Sequence, residues 1–142
     1  MIVCLPTYID MPRKTKPPKR YAVNLNSYRN WKFIVSNLIK REYKRLVSIA
    51  IPKEMEPIRG KKVRLIFTLY KKTNRRIDRA NVLAVTEKFF CDALVELGYL
   101  EDDNDDFIEE SIYRSNGVDK ENPRVECEII LLGENRYEPL FA

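Results

Sequence analysis

The sequence predicts an α/β domain, two helices packed on a small mixed sheet in the order β-α-β-α-β-β. Three observations predict it. Two segments carry apolar residues at helical spacing, and several short segments alternate apolar with polar residues. The length of 142 residues suits one domain, so residues 1–142 are read as a single unit.

The apolar run Ile2-Val3-Cys4-Leu5 opens the chain as a candidate strand. Arg13-Lys14-Thr15-Lys16-Pro17-Pro18-Lys19-Arg20 is basic and proline-bearing, which predicts an exposed loop or arm. Such a stretch is either a solubilising loop or a flap that contacts phosphates. Tyr21 to Leu25 alternates and is expected to resume a strand, and Asn26 or Ser27 is a suitable N-cap for a helix. From Tyr28 to Val47 the pattern is helical, its apolar face made of Trp31, Val35, Leu38, Ile39, Tyr43, Leu46 and Val47. Lys40, Arg41, Lys44 and Arg45 fill the other faces, and Pro52 lies beyond the end.

Val63, Leu65, Phe67 and Leu69 alternate with Arg64, Ile66, Thr68 and Tyr70, a strand apolar enough on both faces to be central. The basic loop Lys71-Lys72-Thr73-Asn74-Arg75-Arg76 leads from it to Asp78. A second helix is expected from about Arg79 to Leu97, with Gly98 placed for a left-handed C′ residue. Asn81, Lys88 and Asp92 fall on one stripe of that helix, and Asp78 extrapolates back to its start. Lys88 and Asp92, four apart, could equally form a plain structural ion pair. After the acidic run Glu101-Asp102-Asp103-Asn104-Asp105-Asp106, Phe107 to Arg114 reads as a strand. Ser115 to Pro123 reads as a loop, and Arg124 to Leu132 as a strand hairpinned to the preceding one. The tail to Ala142 carries no decisive pattern.

Composition narrows the chemistry. There is no histidine, so nucleophile–histidine pairs and histidine-ligated zinc are excluded. Cys4, Cys91 and Cys127 form no CxxC pair and read as small apolar residues in a reducing compartment. Four glycines leave no Gly-rich phosphate loop. No apolar run approaches the roughly 20 residues of a membrane span, and no basic n-region precedes the N-terminal apolar run, so a cytoplasmic protein is expected. The net charge is +5, its cations clustered and its acids concentrated after Leu100. A basic surface around a local acidic pocket is what metal-dependent chemistry on nucleic acid requires: cations for phosphates, carboxylates for the metal.

Asp78-x-x-Asn81, then Lys88, Asp92-Ala93-Leu94, Gly98 and Asp102-Asp103, in that order, resembles the RusA family of Holliday-junction resolvases. The match covers about Arg75 to Ile108, and extends more weakly to the flanking strands and to Asn24-Leu25-Asn26. The resemblance implies a small homodimeric, Mg²⁺-dependent endodeoxyribonuclease of phage or prophage type that resolves four-way DNA junctions by paired nicks. It implies Asp78, Lys88 and Asp103 as catalytic residues, and Asp78, Asp92, Asp102 and Asp103 as metal ligands. For such a site to form, Asp78 and Asp103 would have to meet at the N-terminal end of the second helix. Arg13, Lys14, Lys16, Lys71, Lys72, Arg75 and Arg76 are the expected DNA contacts. Two departures from the family pattern stand out. Ala80 occupies the place of the second aspartate of D-x-D-N, and the gap from Asn81 to Lys88 is longer by about one helical turn. The site is therefore either rebuilt, with Asp102, Asp92 or Asn81 replacing the missing ligand, or lost. Its loss would leave a non-catalytic protein that binds branched DNA.

Overall fold

The computed structural model describes residues 1–134; the tail to Ala142 lies outside them. A four-stranded mixed sheet, in the spatial order β1-β6-β4-β5, is made of β1 (Ile2–Leu5), β4 (Lys61–Lys71), β5 (Ile108–Val118) and β6 (Arg124–Glu134). Strands β2 (Tyr8–Met11) and β3 (Lys19–Ala22) leave that sheet as a separate antiparallel ribbon. A one-turn helix α1 (Leu25–Tyr28) precedes two long helices, α2 (Phe33–Ala50) and α3 (Arg79–Glu96). The predicted α/β class holds; the strand expected from Tyr21 is β3, begun two residues earlier, while β2 and the one-turn α1 are additions at the front.

β4 is central, as its pattern predicts: Val63, Leu65, Phe67 and Leu69 are buried beneath the helices, between antiparallel β6 and parallel β5. β4, α3 and β5 form a crossover unit, the helix carrying the chain back so that the second strand can run parallel to the first. The expected hairpin between the last two strands is absent, because β6 pairs with β4 and β1 instead. The reason lies in the side chains. In the central slot Val125, Cys127 and Ile129 sit opposite Leu69, Phe67 and Leu65. β5, with Glu109, Glu110, Arg114 and Asn116, is polar enough to serve as an edge. β5 also runs to Val118, through residues expected to be loop, and its end is fixed by pairing with Lys71.

The first helix is not one continuous rod. Asn24, rather than Asn26 or Ser27, is the N-cap of α1, its side-chain oxygen accepting from the Ser27 N–H at 2.8 Å. Asn30 then donates its side-chain amide to the Asn26 carbonyl (2.9 Å) while its backbone N–H turns to Ser27 (3.0 Å). That local competition with the helical ladder ends the turn. α2 restarts at Phe33 and stops at Ala50, where Ile51, preceding Pro52, is held extended. Leu38, expected in the apolar face, is exposed, whereas Ile39, Tyr43 and Val47 are buried. α3 ends as predicted: Tyr99 N–H reaches Leu94 (2.8 Å) and Gly98 N–H reaches Val95 (3.1 Å), a Schellman closure. Gly98 supplies the positive φ of 85° that this closure needs.

Phe89 is the hub of an aromatic cluster. Tyr28, Tyr43 and Trp31 surround it with ring centroids 5.7, 5.4 and 6.3 Å away, and Tyr21 of β3 stands edge-on to Trp31 at 6.0 Å. Cys91 and Cys127 are buried with their thiols pushed up by burial, while Cys4 is exposed. Among the described residues no helix is long and apolar enough to cross a membrane.

The buried Tyr43 hydroxyl has no hydrogen-bond partner among the described residues. An unsatisfied polar group of this kind costs about 1–3 kcal/mol. Tyr43→Phe is therefore expected to leave the fold unchanged or to stabilise it by about 1 kcal/mol. Urea denaturation measures this, and a clear loss of stability would show that the hydroxyl is satisfied.

Candidate functional site

α3 links two places of opposite character. Its N-terminal end opens on a cleft of about 760 Å³ between the ribbon, α1 and the loop after β4. Lys71, Lys72, Arg75, Arg76 and Arg29 line it, against a single carboxylate, Asp78. One oxygen of that carboxylate is used locally: Asp78 is the N-cap of α3 and its Oδ1 accepts from the Ala80 N–H at 3.0 Å. Lys71 holds the basic loop in place by donating to the Arg75 carbonyl (3.4 Å). Asn81 accepts from the Asn26 N–H (3.3 Å), tying α1 to α3 across the cleft. Five cations around one neutralised helix start make a surface for a polyanion, and their long side chains suit a phosphate backbone.

The second place lies on the C-terminal half of α3. Lys88 is exposed, and its Nζ lies 3.9 Å from the Asp92 carboxylate, with both side chains about half exposed. At that distance and exposure the pair adds little stability, and the ammonium is free to serve another anion. The acidic turn folds up beside it, so that Asp103 lines a hollow of about 220 Å³ with Glu87, Lys88 and Cys91. Asp102 accepts from the Asp103 N–H (2.8 Å) and from the Asn104 side chain (3.3 Å), fixing the turn. The Asp103 carboxyl is raised from its ordinary value, chiefly by burial, then by the Asp102 carboxyl beside it and by the charge of Asp92. Glu87 accepts from the Tyr113 hydroxyl at 2.6 Å, which anchors the hollow to β5.

The structure brings Lys88, Asp92, Asp102 and Asp103 into one neighbourhood and keeps Asp78 apart. Ten residues of helix separate Asp78 from Lys88 and thirteen separate it from Cys91, about 15–20 Å at 1.5 Å per residue. The expected meeting of Asp78 with Asp103 at the start of α3 therefore does not occur. The cause is the parallel crossover. β5 begins opposite Val63, at the far end of β4 from the Lys71 loop, so the acidic turn sits at the other end of α3. Arg13, Lys14 and Lys16 lie outside the cleft, at the exposed tip of the β2–β3 ribbon.

The predicted four-carboxylate ligand set does not fit one Mg²⁺ ion. Among the described residues no three acidic or cysteine side chains are grouped to hold a metal. The smaller Asp102–Asp103 pair does meet the donor chemistry, because Mg²⁺ is ordinarily held by one or two carboxylates with waters and substrate phosphates completing its shell. Sequence reasoning missed Arg29 and Glu87. Arg29 could have been found by its place one turn after Asn26. Glu87 is four residues before Cys91, on the same helical face. No protein-family model matches the sequence, and a search of curated proteins finds no matching relative.

A carboxyl whose titration is raised in the folded state favours folding while it is protonated, and that contribution is lost as pH rises through its folded value. Asp103→Asn should therefore raise the melting temperature at pH 7, with the gain shrinking as pH falls below the carboxylate range; a gain independent of pH would contradict this. Asp78→Ala should cost about 1 kcal/mol through the lost cap, with Asp78→Asn close to wild type, in chemical denaturation.

Proposed function

We propose that this chain is a RusA-like, Mg²⁺-dependent endodeoxyribonuclease that nicks four-way DNA junctions as a symmetric dimer, since resolution takes two matched cuts. The observation that carries the reading is the position of Lys88. It stands beside Asp92 and Asp103 on the exposed flank of a helix whose other end opens on a cation-lined cleft. The order of Asp78, Asn81, Lys88, Asp92, Asp102 and Asp103 in the sequence supports it.

Lys71, Lys72, Arg75 and Arg76 would hold the backbone of a junction arm, a contact that positions without reading sequence. Asp102 and Asp103 would be the residues that hold Mg²⁺, with Asp92 as a neighbouring charge. When bound, Mg²⁺ neutralises charge on the scissile phosphate and makes a bound water nucleophilic. The Lys88 ammonium, on the same flank, offsets negative charge that builds on the phosphate oxygens. The Asp102 contact to the Asp103 backbone keeps the turn in one shape before substrate arrives. Asp78 acts at the cleft as the cap of α3 rather than as a ligand.

A second reading is favoured by a specific observation. With Asp78 capping the helix and Ala80 in place of an aspartate, the N-terminal end of α3 keeps one carboxylate where the family pattern puts two. On that reading the protein binds branched DNA without cutting it.

Incubation of the purified protein with a synthetic four-way junction and Mg²⁺ separates the two. Nicking is expected in the wild type, reduced about 100-fold or more by Asp103→Asn and by Lys88→Ala, and within a few fold of wild type in Asp78→Asn. Tight binding with no metal-dependent nicking would establish the second reading. Nicking that survives Asp103→Asn would remove the acidic turn from the site, and a large gain from Ala80→Asp would mean that the natural site is deficient.

A further inference from the structure

Among the described strands, β2 and β3 alone stand away from the four-stranded sheet, and the ribbon they form has an unusual composition. The segment from Pro12 to Lys19 carries Arg13, Lys14, Lys16 and Lys19 with no acid. Asp10 and Arg20, opposite one another in the register, pair through two hydrogen bonds of 2.9 and 3.1 Å and cancel. The charge left at the tip is positive and uncompensated. Lys14 and Lys16 are exposed and make no hydrogen bond or ion pair with the described residues. Arg13 donates its Nε to the Pro17 carbonyl at 2.8 Å, which closes the tip and leaves its two terminal nitrogens free for a ligand.

The tip is also rich in proline. Pro12, Pro17 and Pro18 fix three backbone φ angles in seven residues, which lowers the conformational freedom lost on binding. The root is anchored where it matters: Ile9 is buried, Tyr21 packs edge-on to Trp31, and Tyr8 and Ala22 line the cleft itself. The ribbon that carries the tip thus also forms part of the cleft wall.

Resting on the DNA reading above, we propose that the ribbon enters the major groove of a duplex arm while the cleft holds that arm's backbone. Two strands about 4.8 Å apart, with side chains on both faces, fit the roughly 12 Å major groove and not the roughly 6 Å minor groove. The free fork of Arg13 and the ammonium groups of Lys14 and Lys16 are donors. The groove offers matching acceptors at the O6 and N7 atoms of guanine. The ribbon therefore restricts the protein to duplex arms, and gives it a preference among guanine-containing sequences that the cleft alone would not have.

The experiment uses the full chain and a four-way junction with long duplex arms. In interference footprinting of the wild type, N7-methylated guanines within one arm are expected to block binding. Arg13→Gln/Lys14→Gln/Lys16→Gln, checked for an unchanged melting curve, is expected to bind about tenfold or more weakly. Its log–log salt slope should be shallower by about 2–3 if these cations also release counterions, and it should lose the methylation interference. Interference by phosphate ethylation alone, with none at guanine N7, would overturn groove entry, and that result needs only the wild-type protein. Equal binding by wild type and the triple variant would overturn the ribbon's role while leaving the cleft intact. Failure of the wild type to bind the junction at all would overturn the DNA reading itself.

Discussion

The packing of aromatic rings around Phe89 is the constraint on which the rest of this molecule depends. Five rings from four separate places in the chain meet there: Tyr21 from the ribbon, Tyr28 and Trp31 from the entry to α2, Tyr43 from α2, and Phe89 from α3. Edge-to-face contacts of this kind add about 0.5–1.5 kcal/mol each beyond the area they bury. Their more important effect is geometric. The ribbon, α1 and the start of α3 make three walls of the basic cleft, and the cluster fixes their mutual angles from beneath. Lys40, whose ammonium lies 5.6 Å from the Tyr28 ring centroid and 5.8 Å from that of Phe89, covers the cluster on its solvent side.

Much of this was legible in the residues. The alternation of Val63 to Leu69 identified the central strand, and Gly98 marked the end of α3 because only a left-handed residue completes that closure. The separation of basic from acidic segments also carried through, as a cleft at one end of α3 and a turn at the other. Pairing order did not. A run such as Arg124 to Leu132 announces a strand, but its neighbour is decided by which face must be buried, a property of the assembled sheet. The break after Tyr28 was hidden for a different reason. It depends on one asparagine side chain competing for one carbonyl, a detail too local for any periodicity to carry.

The candidate site shows the same division. Lys88 and Asp92 were found from their spacing and Asp103 from the family pattern, and they lie together because α3 keeps its register and the acidic turn folds back on it. Asp78 was grouped with them by extrapolating the helical stripe back to its start and by the family pattern. Sharing a stripe does not bring its two ends together, because a helix of 18 residues is about 27 Å long. Cations and acidic residues are therefore spread along α3, so a ligand must be long enough to span much of that helix to touch both.

The three cysteines carry one more consequence. Cys91 and Cys127 lie in the core, where burial keeps their thiols protonated and unreactive, but Cys4 is exposed and borders a second hollow that includes Arg20, Lys72 and Lys120. A thiol-directed dye applied to the native protein would thus settle at one place, on the edge strand β1 beside the root of the ribbon. The chain comes supplied with a single optical handle at the margin of its own basic surface, and no residue need be engineered to use it.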